Sequence, residues 1–298
     1  RRRYEPSPGL LIMDEHRGCG LMYVEEQGNG TPLLLIHGFG VDHHILNSLR
    51  GAIGEAGGWR QILIDLPGHG KSAIGDVQSS QDVVDEVEDW IHEHLAGERF
   101  AVIGNSFGGM VARCIAHDLR SQVLGLATLA GVFVADHSKR DVPPQTVLHE
   151  DPELIASLGD EGEDYAQMAV VQTAAHAKDF SVYVRPGIEA ADRRALQRIS
   201  ADYSLPQDPE DAHPEPFTQP SLFITGRQDQ VVGYADAWRR IEHYPRATFS
   251  VLDGAGHNVH LEQPNLSEAL VLEWLSRMGS ADYSSFTTGS GSGISSGL

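Results

Sequence analysis

A serine between closely spaced glycines is the strongest chemical signal in the sequence. Ser106 lies in the segment Gly104-Asn105-Ser106-Phe107-Gly108, which has the form G-x-S-x-G and follows an apolar run. A serine presented on a sharp turn between a strand and a helix needs neighbours of little bulk two residues before and after it. Gly104 and Gly108 meet that need, so the segment predicts that Ser106 is an exposed nucleophile.

This serine could be activated by two other residues, which lie much later in the chain. A serine hydroxyl becomes a good nucleophile when an imidazole accepts its proton and a carboxylate orients that imidazole. Asp229 follows the apolar run 221–225, and His257 follows the apolar run 247–252 after a glycine-rich approach. Because the carboxyl ends of parallel strands lie at one edge of a sheet, we expect Ser106, Asp229 and His257 to meet there.

Other residues compete for the roles of base and acid. His260 lies one helical turn beyond His257, but no glycine-rich segment directly precedes it. Asp136 follows the apolar run 123–129, and Asp253 precedes His257 by a few positions. The sequence favours His257 and Asp229, with these three residues as the alternatives.

A second glycine-rich turn could supply hydrogen-bond donors to a negatively charged oxygen. The turn 37–40, with the sequence His-Gly-Phe-Gly, follows the apolar run 33–36. The oxyanion of an acyl-transfer intermediate needs backbone N–H groups rather than a particular side chain. The predicted donors are the N–H groups of Phe39 and of Phe107, which comes directly after Ser106 at the start of a helix.

Short apolar runs alternate with helix-like stretches along the chain. Runs bounded by Gly, Pro or Asp predict buried strands over residues 33–36, 61–64, 100–103, 123–129, 221–225 and 247–252. Helical spacing of apolar residues predicts helices that include residues 82–95, 110–118 and 266–278. This alternation predicts an α/β fold with a mostly parallel central sheet flanked by helices.

The alternation stops between residues 139 and 215. The segment has no strand-like run and three helical patterns, over residues 152–158, 164–177 and 188–199. We therefore predict a helical insertion at 139–215. Acidic residues between Glu150 and Asp164 are interpreted as a solvated face rather than a cation site. The Gly/Ser-rich residues 279–298 predict a flexible tail.

The composition argues against several classes of protein. With 298 residues, 41% hydrophobic and 21% charged, the chain can bury a sizeable core. A formal net charge of -20 repels nucleic-acid backbones and anionic lipid surfaces. The longest nearly uncharged apolar stretch, 123–135, is too short to span a membrane, and no apolar signal segment follows the three N-terminal arginines. We expect a small-molecule substrate, no nucleic-acid or membrane partner, and a cytoplasmic location.

The two cysteines give no sign of a disulfide framework or a metal site. Cys19 and Cys114 are far apart in sequence, and neither lies in a C-x-x-C or Cys/His ligand spacing. The sequence therefore predicts plain thiols and no metal.

Five segments, taken in their order along the chain, resemble motifs of the α/β-hydrolase superfamily. They lie at residues 37–40, 65–72, 104–108, 226–229 and 256–257. The resemblance spans about residues 21–278 and implies the α/β-hydrolase fold, with Ser106 as nucleophile, Asp229 as acid and His257 as base. It also implies that the insertion is a helical cap over the site and that no cofactor is needed. The implied division is a core of residues 1–138 and 216–278, a cap of residues 139–215 and the tail.

A narrower resemblance concerns the residue before the nucleophile. Asn105, in place of the commoner histidine, is similar to the carbon-carbon bond hydrolases that cleave ring-fission products of aromatic degradation. Those enzymes use a cap arginine for a substrate carboxylate and a further asparagine near the oxyanion loop, for which Arg185 and Asn47 are the candidate counterparts. Carboxylesterases, lactonases and cofactor-free haloperoxidases share the same arrangement of nucleophile, acid, base and oxyanion turn.

The predicted function is a serine hydrolase that acts by acyl transfer on a small carboxylic ester or a related carbonyl substrate. One alternative is a carbon-carbon bond hydrolase of a 2-hydroxy-6-oxo-dienoate. Another is a hydrolase-like receptor for a small molecule, which repeated turnover would distinguish from an enzyme. The sequence leaves both monomer and homo-oligomer open.

Overall fold

A computed structural model describes residues 10–11 and 22–279 of the chain. The predicted flexible tail lies outside these residues, except that Gly279 ends the last helix. Cys19 and most of the first twenty-one residues of the predicted core also lie outside them.

The described strands form one eight-stranded sheet. In chain order they are β1 (Leu10–Leu11), β2 (Tyr23–Gln27), β3 (Thr31–Ile36), β4 (Trp59–Ile64), β5 (Phe100–Asn105), β6 (Val123–Leu129), β7 (Ser221–Gly226) and β8 (Ala247–Leu252). The spatial order is β1-β2-β4-β3-β5-β6-β7-β8, with β3 to β8 parallel and β1 and β2 antiparallel at one edge. The predicted α/β fold with a mostly parallel sheet is confirmed.

Helices connect the parallel strands and cover the sheet. Around the strands they are α1 (Asn47–Ala56), α2 (Ser80–His94), α3 (Phe107–Asp118), α10 (Ala235–Arg239), α11 (Val259–Glu262) and α12 (Pro264–Gly279). Parallel crossovers are right-handed, so α1, which leads back from β3 to β4, lies on the face opposite α2 and α3. No helix of the described chain is both long and apolar enough to cross a bilayer.

Between β6 and β7 the main elements are helices, as the sequence predicts. They are α4 (Pro152–Ser157), α5 (Glu161–Met168), α6 (Ala174–Tyr183), α7 (Arg185–Ala190), α8 (Arg193–Ala201) and α9 (Pro209–Ala212). Two predicted helices are each divided in the structure. Thr173 caps α6 through a hydrogen bond to the His176 N–H, and Asp192 caps α8, so each cap begins a new helix inside the predicted one.

Six strands lie where the sequence predicts them, each with the same bounds or up to two residues longer. The sequence misses β2, because Glu25 and Glu26 interrupt its apolar pattern. Glu25 is nevertheless buried, where it pairs with Arg50 of α1. Because a distant arginine compensates the charge of Glu25, apolar runs alone do not predict this strand.

A buried ion pair also ties the helical insertion to the core. Arg113 of α3 and Glu210 of α9 are both buried, and the Arg113 Nε donates to Glu210 Oε1 at 2.8 Å. The guanidinium also donates to the Val132 carbonyl, and the Tyr244 hydroxyl donates to Glu210. Arg113 therefore joins the helix that follows Ser106 to the segment that leaves the insertion.

Replacing Arg113 tests how strongly this pair stabilises the fold. Arg113→Met should lower the free energy of unfolding by about 3 to 5 kcal/mol, because the Glu210 carboxylate stays buried without its cation. Arg60→Met removes an arginine from ion pairs with Glu26 and Glu98, whose carboxylates remain accessible to solvent, and should cost less than about 1 kcal/mol. Urea unfolding measures both, and equal losses would contradict the assignment.

Candidate active site

The turn between β5 and α3 presents Ser106 in a backbone conformation that favours glycine. Ser106 has φ +51° and ψ -114°. A Cβ atom at Gly104 would lie 2.1 Å from the Gly108 carbonyl oxygen, and one at Gly108 would lie 2.3 Å from that of Ile36. No side chain larger than hydrogen fits at either position, which is the tight turn that the G-x-S-x-G pattern predicts.

The structure brings Ser106, His257 and Asp229 together in one hydrogen-bonded series. The Ser106 hydroxyl donates to His257 Nε2 with an O···N distance of 2.8 Å. The Nδ1–H of His257 donates to Asp229 Oδ2 at 3.1 Å. This tautomer leaves Nε2 free to accept a proton from the serine. The arrangement is suited to activate a serine nucleophile.

The loop after β7 fixes the carboxylate of Asp229. Its Oδ1 accepts hydrogen bonds from the N–H groups of Val231 and Val232 at 2.8 and 3.1 Å, while Oδ2 faces the imidazole. The side chain is fully buried. Because one oxygen is held by the backbone, the other is aimed at His257.

The alternative acids and base are engaged elsewhere. Asp136 is partly exposed, accepts from Ser138 and pairs with Lys139 at 3.2 Å. Asp253 accepts from Gln228 at 2.7 Å. The ring of His260 is buried and donates to the Ile45 carbonyl, and burial lowers its pKa to about 4. None of these three groups reaches the position between Ser106 and Asp229.

The turn after β3 lies directly against the nucleophile. A Cβ atom at Gly38 would lie 3.1 Å from the Ser106 Cβ and 2.9 Å from Asn105 Oδ1. His37 orders this turn: its Nδ1–H donates to the Gly38 carbonyl at 2.7 Å, and its Nε2 accepts from the Leu66 N–H at 2.9 Å. Phe39, the next residue of the turn, packs its ring against that of Phe107 with centroids 5.5 Å apart. Phe107 begins α3, so its N–H has no carbonyl of its own helix to bind.

A buried cluster of charged side chains fixes the segment that follows this turn. His43 Nδ1 lies 2.7 Å from Asp65 Oδ1, and its Nε2 lies 3.4 Å from Glu25 Oε2. Burial favours a neutral imidazole, but the two carboxylates outweigh it and raise the pKa of His43 to about 9. The hydrogen bond to His43 lowers the pKa of Glu25 to about 2. These contacts anchor His43 to the middle of β2 and to the residue that follows β4.

Two cavities meet at the nucleophile, with volumes of about 640 and 250 Å³. Their shared lining residues are Phe39, Ser106, Met168 and His257. The larger cavity extends toward Arg140, Tyr203 and Val231, and the smaller extends toward Val41, Asn105, Phe180, Val184 and Ile188. Substrate groups on both sides of a scissile bond at Ser106 would therefore have separate spaces.

Of the three predicted substrate-binding residues, the structure brings only Asn105 to a cavity. Its side chain lines the smaller cavity and donates to the Leu129 carbonyl at 3.1 Å. Asn47 begins α1, lines neither cavity and accepts from Arg50 at 3.2 Å. Arg185 lies on the outside of the insertion, and Glu161 and Glu189 neutralise its charge. The structure therefore does not bring Asn47 or Arg185 to the cavities that Ser106 lines.

Two residues outside the sequence motifs, Arg140 and Tyr203, line the larger cavity. The Arg140 guanidinium donates to the carbonyl oxygens of Val134, Ala135 and Val231 at 2.8 to 3.1 Å. It thereby joins the loops after β6 and β7. Burial raises the pKa of Tyr203 to about 12. No local motif marks either residue, because Arg140 binds Val231 and Tyr203 packs against Phe39 and Phe107, all of them distant in sequence.

One group of potential metal ligands occurs in the described chain. Asp42, His43 and His44 offer ligand atoms within 4.8 Å of one another. Both ring nitrogens of His43 already face carboxylates, and Asp42 Oδ1 accepts from the backbone and ring of His44. The contacts account for these groups without an ion.

Comparison with known proteins agrees with this geometry. A family model for the α/β-hydrolase fold matches residues 31–264. The chain belongs to the α/β-hydrolase family. A solved α/β superfamily hydrolase from Oenococcus oeni PSU-1 superposes with a TM-score of 0.82 and 26% identity, covering 92% of this chain and 100% of that protein. The predicted resemblance to this family is confirmed, and with it the prediction of an enzyme.

Two curated relatives of this α/β-hydrolase have different activities. A pimeloyl-[acyl-carrier protein] methyl ester esterase from Shewanella woodyi is 26% identical over 272 residues, covering 86% of this chain and 98% of the relative. A 2-hydroxy-6-oxo-6-(2'-aminophenyl)hexa-2,4-dienoic acid hydrolase from Metapseudomonas resinovorans is 26% identical over 262 residues, covering 85% and 86%. The relatives thus include both an ester hydrolase and a dienoic acid hydrolase.

The raised pKa of His43 predicts a loss of stability in alkaline solution. The stabilisation is fully present below the unfolded pKa of 6.5 and is lost as the pH rises through about 9. From pH 6.5 to 9 the wild-type free energy of unfolding should therefore fall by about 3 kcal/mol more than that of His43→Gln. His92→Gln, at an exposed position on α2, is the matched control. Urea unfolding at several pH values tests this, and parallel curves for wild type and His43→Gln would contradict it.

Proposed function

We propose that this α/β-hydrolase cleaves small carboxylic esters by acyl transfer through a Ser106–His257–Asp229 triad. The observation that carries the proposal is the hydrogen-bonded series from the Ser106 hydroxyl through both ring nitrogens of His257 to Asp229. It lies where two cavities meet, so a substrate carbonyl bound in either cavity can reach the hydroxyl.

In the proposed reaction, Ser106 Oγ attacks the ester carbonyl carbon while His257 Nε2 accepts the hydroxyl proton. The N–H groups of Phe39 and Phe107 stabilise the negative oxygen of the tetrahedral intermediate. The intermediate collapses, the C–O bond of the ester breaks, and the alcohol leaves with the proton from His257. Water then attacks the acyl-serine with His257 again as base, which releases the acid and restores Ser106.

The helical insertion is proposed as a cap over this site, with boundaries near residues 139 and 215. Met168 of α5 lines both cavities, and Phe180 of α6 lines the smaller one. Tyr203, just after α8, packs against Phe39 with ring centroids 5.6 Å apart. Side chains of the insertion therefore form the walls opposite the sheet, where they would exclude water and select substrates.

Carbon-carbon bond hydrolysis is the second candidate function. It is supported by the Metapseudomonas resinovorans relative and by Asn105 in the wall of the smaller cavity. Arg185, the predicted partner of a substrate carboxylate, lines neither cavity, which weighs against this second function. Ester cleavage needs no such contact and is the function that we propose first.

Ser106→Ala tests the nucleophile. The variant should lose hydrolysis of p-nitrophenyl esters by at least about a thousandfold and should not react with a fluorophosphonate probe, because the attacking oxygen is gone. Circular dichroism should show an unchanged fold. Ser157→Ala, at an exposed position on α4, is the control and should keep both activities. Covalent labelling of Ser106→Ala would remove Ser106 from this role, and stoichiometric hydrolysis without turnover by the wild type would favour a receptor.

A direct rate comparison distinguishes the two candidate reactions. Short p-nitrophenyl esters should give the higher kcat/KM, and a vinylogous 1,5-diketone acid should be cleaved poorly, because the larger cavity lacks the predicted contact from Arg185. Both rates are measured by absorbance with the same enzyme preparation. A faster reaction of the diketone acid would assign the chain to carbon-carbon bond hydrolysis.

A further inference from the structure

The carboxylate of Glu262 lies beneath the loop that carries His257. Glu262 ends α11 and is 7% exposed. Its Oε2 accepts from the Gly256 N–H at 2.7 Å, and its Oε1 accepts from the Val170 N–H at 2.8 Å. Gly256 directly precedes His257, and Val170 lies in the insertion between α5 and α6. One buried side chain therefore joins the loop of the base to the cap.

The two joined segments also touch each other. A Cβ atom at Gly256 would lie 3.0 Å from Val170 Cγ2 and 3.5 Å from the Met168 carbonyl oxygen. Met168 lines both cavities. A shift of Val170 would therefore be felt both in the wall of the site and in the backbone next to the base.

A second anchor holds the same loop from the side of the acid. Gln228, next to Asp229, donates its N–H to the Ala255 carbonyl at 2.9 Å and accepts from the Ala255 N–H through Oε1 at 3.2 Å. The loop follows β8, an edge strand whose residues are mostly half-buried. Since β8 pairs with a strand on one side only, the loop after it depends more on hydrogen bonds from side chains such as Gln228 and Glu262.

We propose that Glu262 is a positioning residue, which holds the His257 loop and cap residues 168–170 as one unit so that the imidazole stays aimed at Ser106. The inference rests on the proposed function, because it assigns Glu262 to the base of that reaction. Two backbone N–H donors on one carboxylate form charge-assisted hydrogen bonds that are shorter and stronger than neutral ones. Removing an oxygen acceptor should therefore disturb the base and the cavity wall together.

Glu262→Gln is the most informative variant. The amide keeps the size of the side chain but places an NH₂ donor opposite a backbone N–H, so one of the two bonds is lost. We expect kcat for a p-nitrophenyl ester to fall about 10- to 100-fold, as a displacement of about 1 Å at a reacting group can cost that much. KM should rise as well, because Met168 moves with Val170. The rate of fluorophosphonate labelling should fall with kcat.

A purely structural role would give a different result. In that case Glu262→Gln would lower the melting temperature, but kcat and KM per correctly folded, titrated site would match the wild type, and this outcome overturns the proposal. Glu273→Gln, at an exposed position on α12, is the matched control and should leave kcat, KM and labelling unchanged. Glu262→Asp keeps the charge but shortens the reach, so it should recover less than full activity.

A measurement on the wild-type protein decides the case if the Glu262 variants do not fold. Burial raises the pKa of Glu262, against the two N–H donors that lower it, and among the other charges Asp229 raises it and His176 lowers it. The amide signals of Gly256 and Val170 in a ¹⁵N–¹H spectrum should therefore shift together, with one common midpoint, as the pH is lowered. Independent midpoints would overturn the bridge. A wild type that neither labels nor hydrolyses esters would instead refute the proposed function, and the amide titration would still report on the bridge.

Discussion

The close approach of three backbone segments around Ser106 is the constraint on which the site depends. The left-handed backbone at this residue costs about 1 to 3 kcal/mol, and it persists only where neighbouring structure fixes it. Here the Ser106 N–H donates to the Leu129 carbonyl, and its own carbonyl accepts from Gly109 and Val132. The sheet and α3 therefore hold the hydroxyl in a position that the isolated turn would not keep.

Buried carboxylates perform the same task for the loops around that hydroxyl. Asp229 accepts from two N–H groups of its own loop, Asp65 accepts from the backbone of His43 and Lys71, and Glu262 accepts from Gly256 and Val170. Each carboxylate satisfies donors that the sheet cannot reach, and each uses its negative charge to strengthen the bonds. The net negative charge of the chain is thus partly used inside the protein, in the ordering of loops.

The sequence was sufficient to predict the fold and the three side chains of the proposed triad. Buried parallel strands are continuous apolar runs, and the tight turn at Ser106 admits glycine at fixed positions, so both features can be read locally. Contacts between distant segments could not be read. The predicted helix 164–177 is interrupted after Met168, since Ala169 and Thr173 have extended backbone and the Val170 N–H donates to Glu262, about ninety residues away. The positions of Arg140 and Tyr203 in the larger cavity could not be predicted for the same reason.

The three members of the proposed triad follow strands of unequal support. Ser106 follows β5, a fully buried strand in the middle of the sheet, whereas His257 follows β8 at the open edge. Hydrogen bonds at an edge break in small local fluctuations that leave the centre intact. A brief opening of β8 would therefore move the imidazole away from Ser106 and inactivate the serine, although the rest of the protein would remain folded.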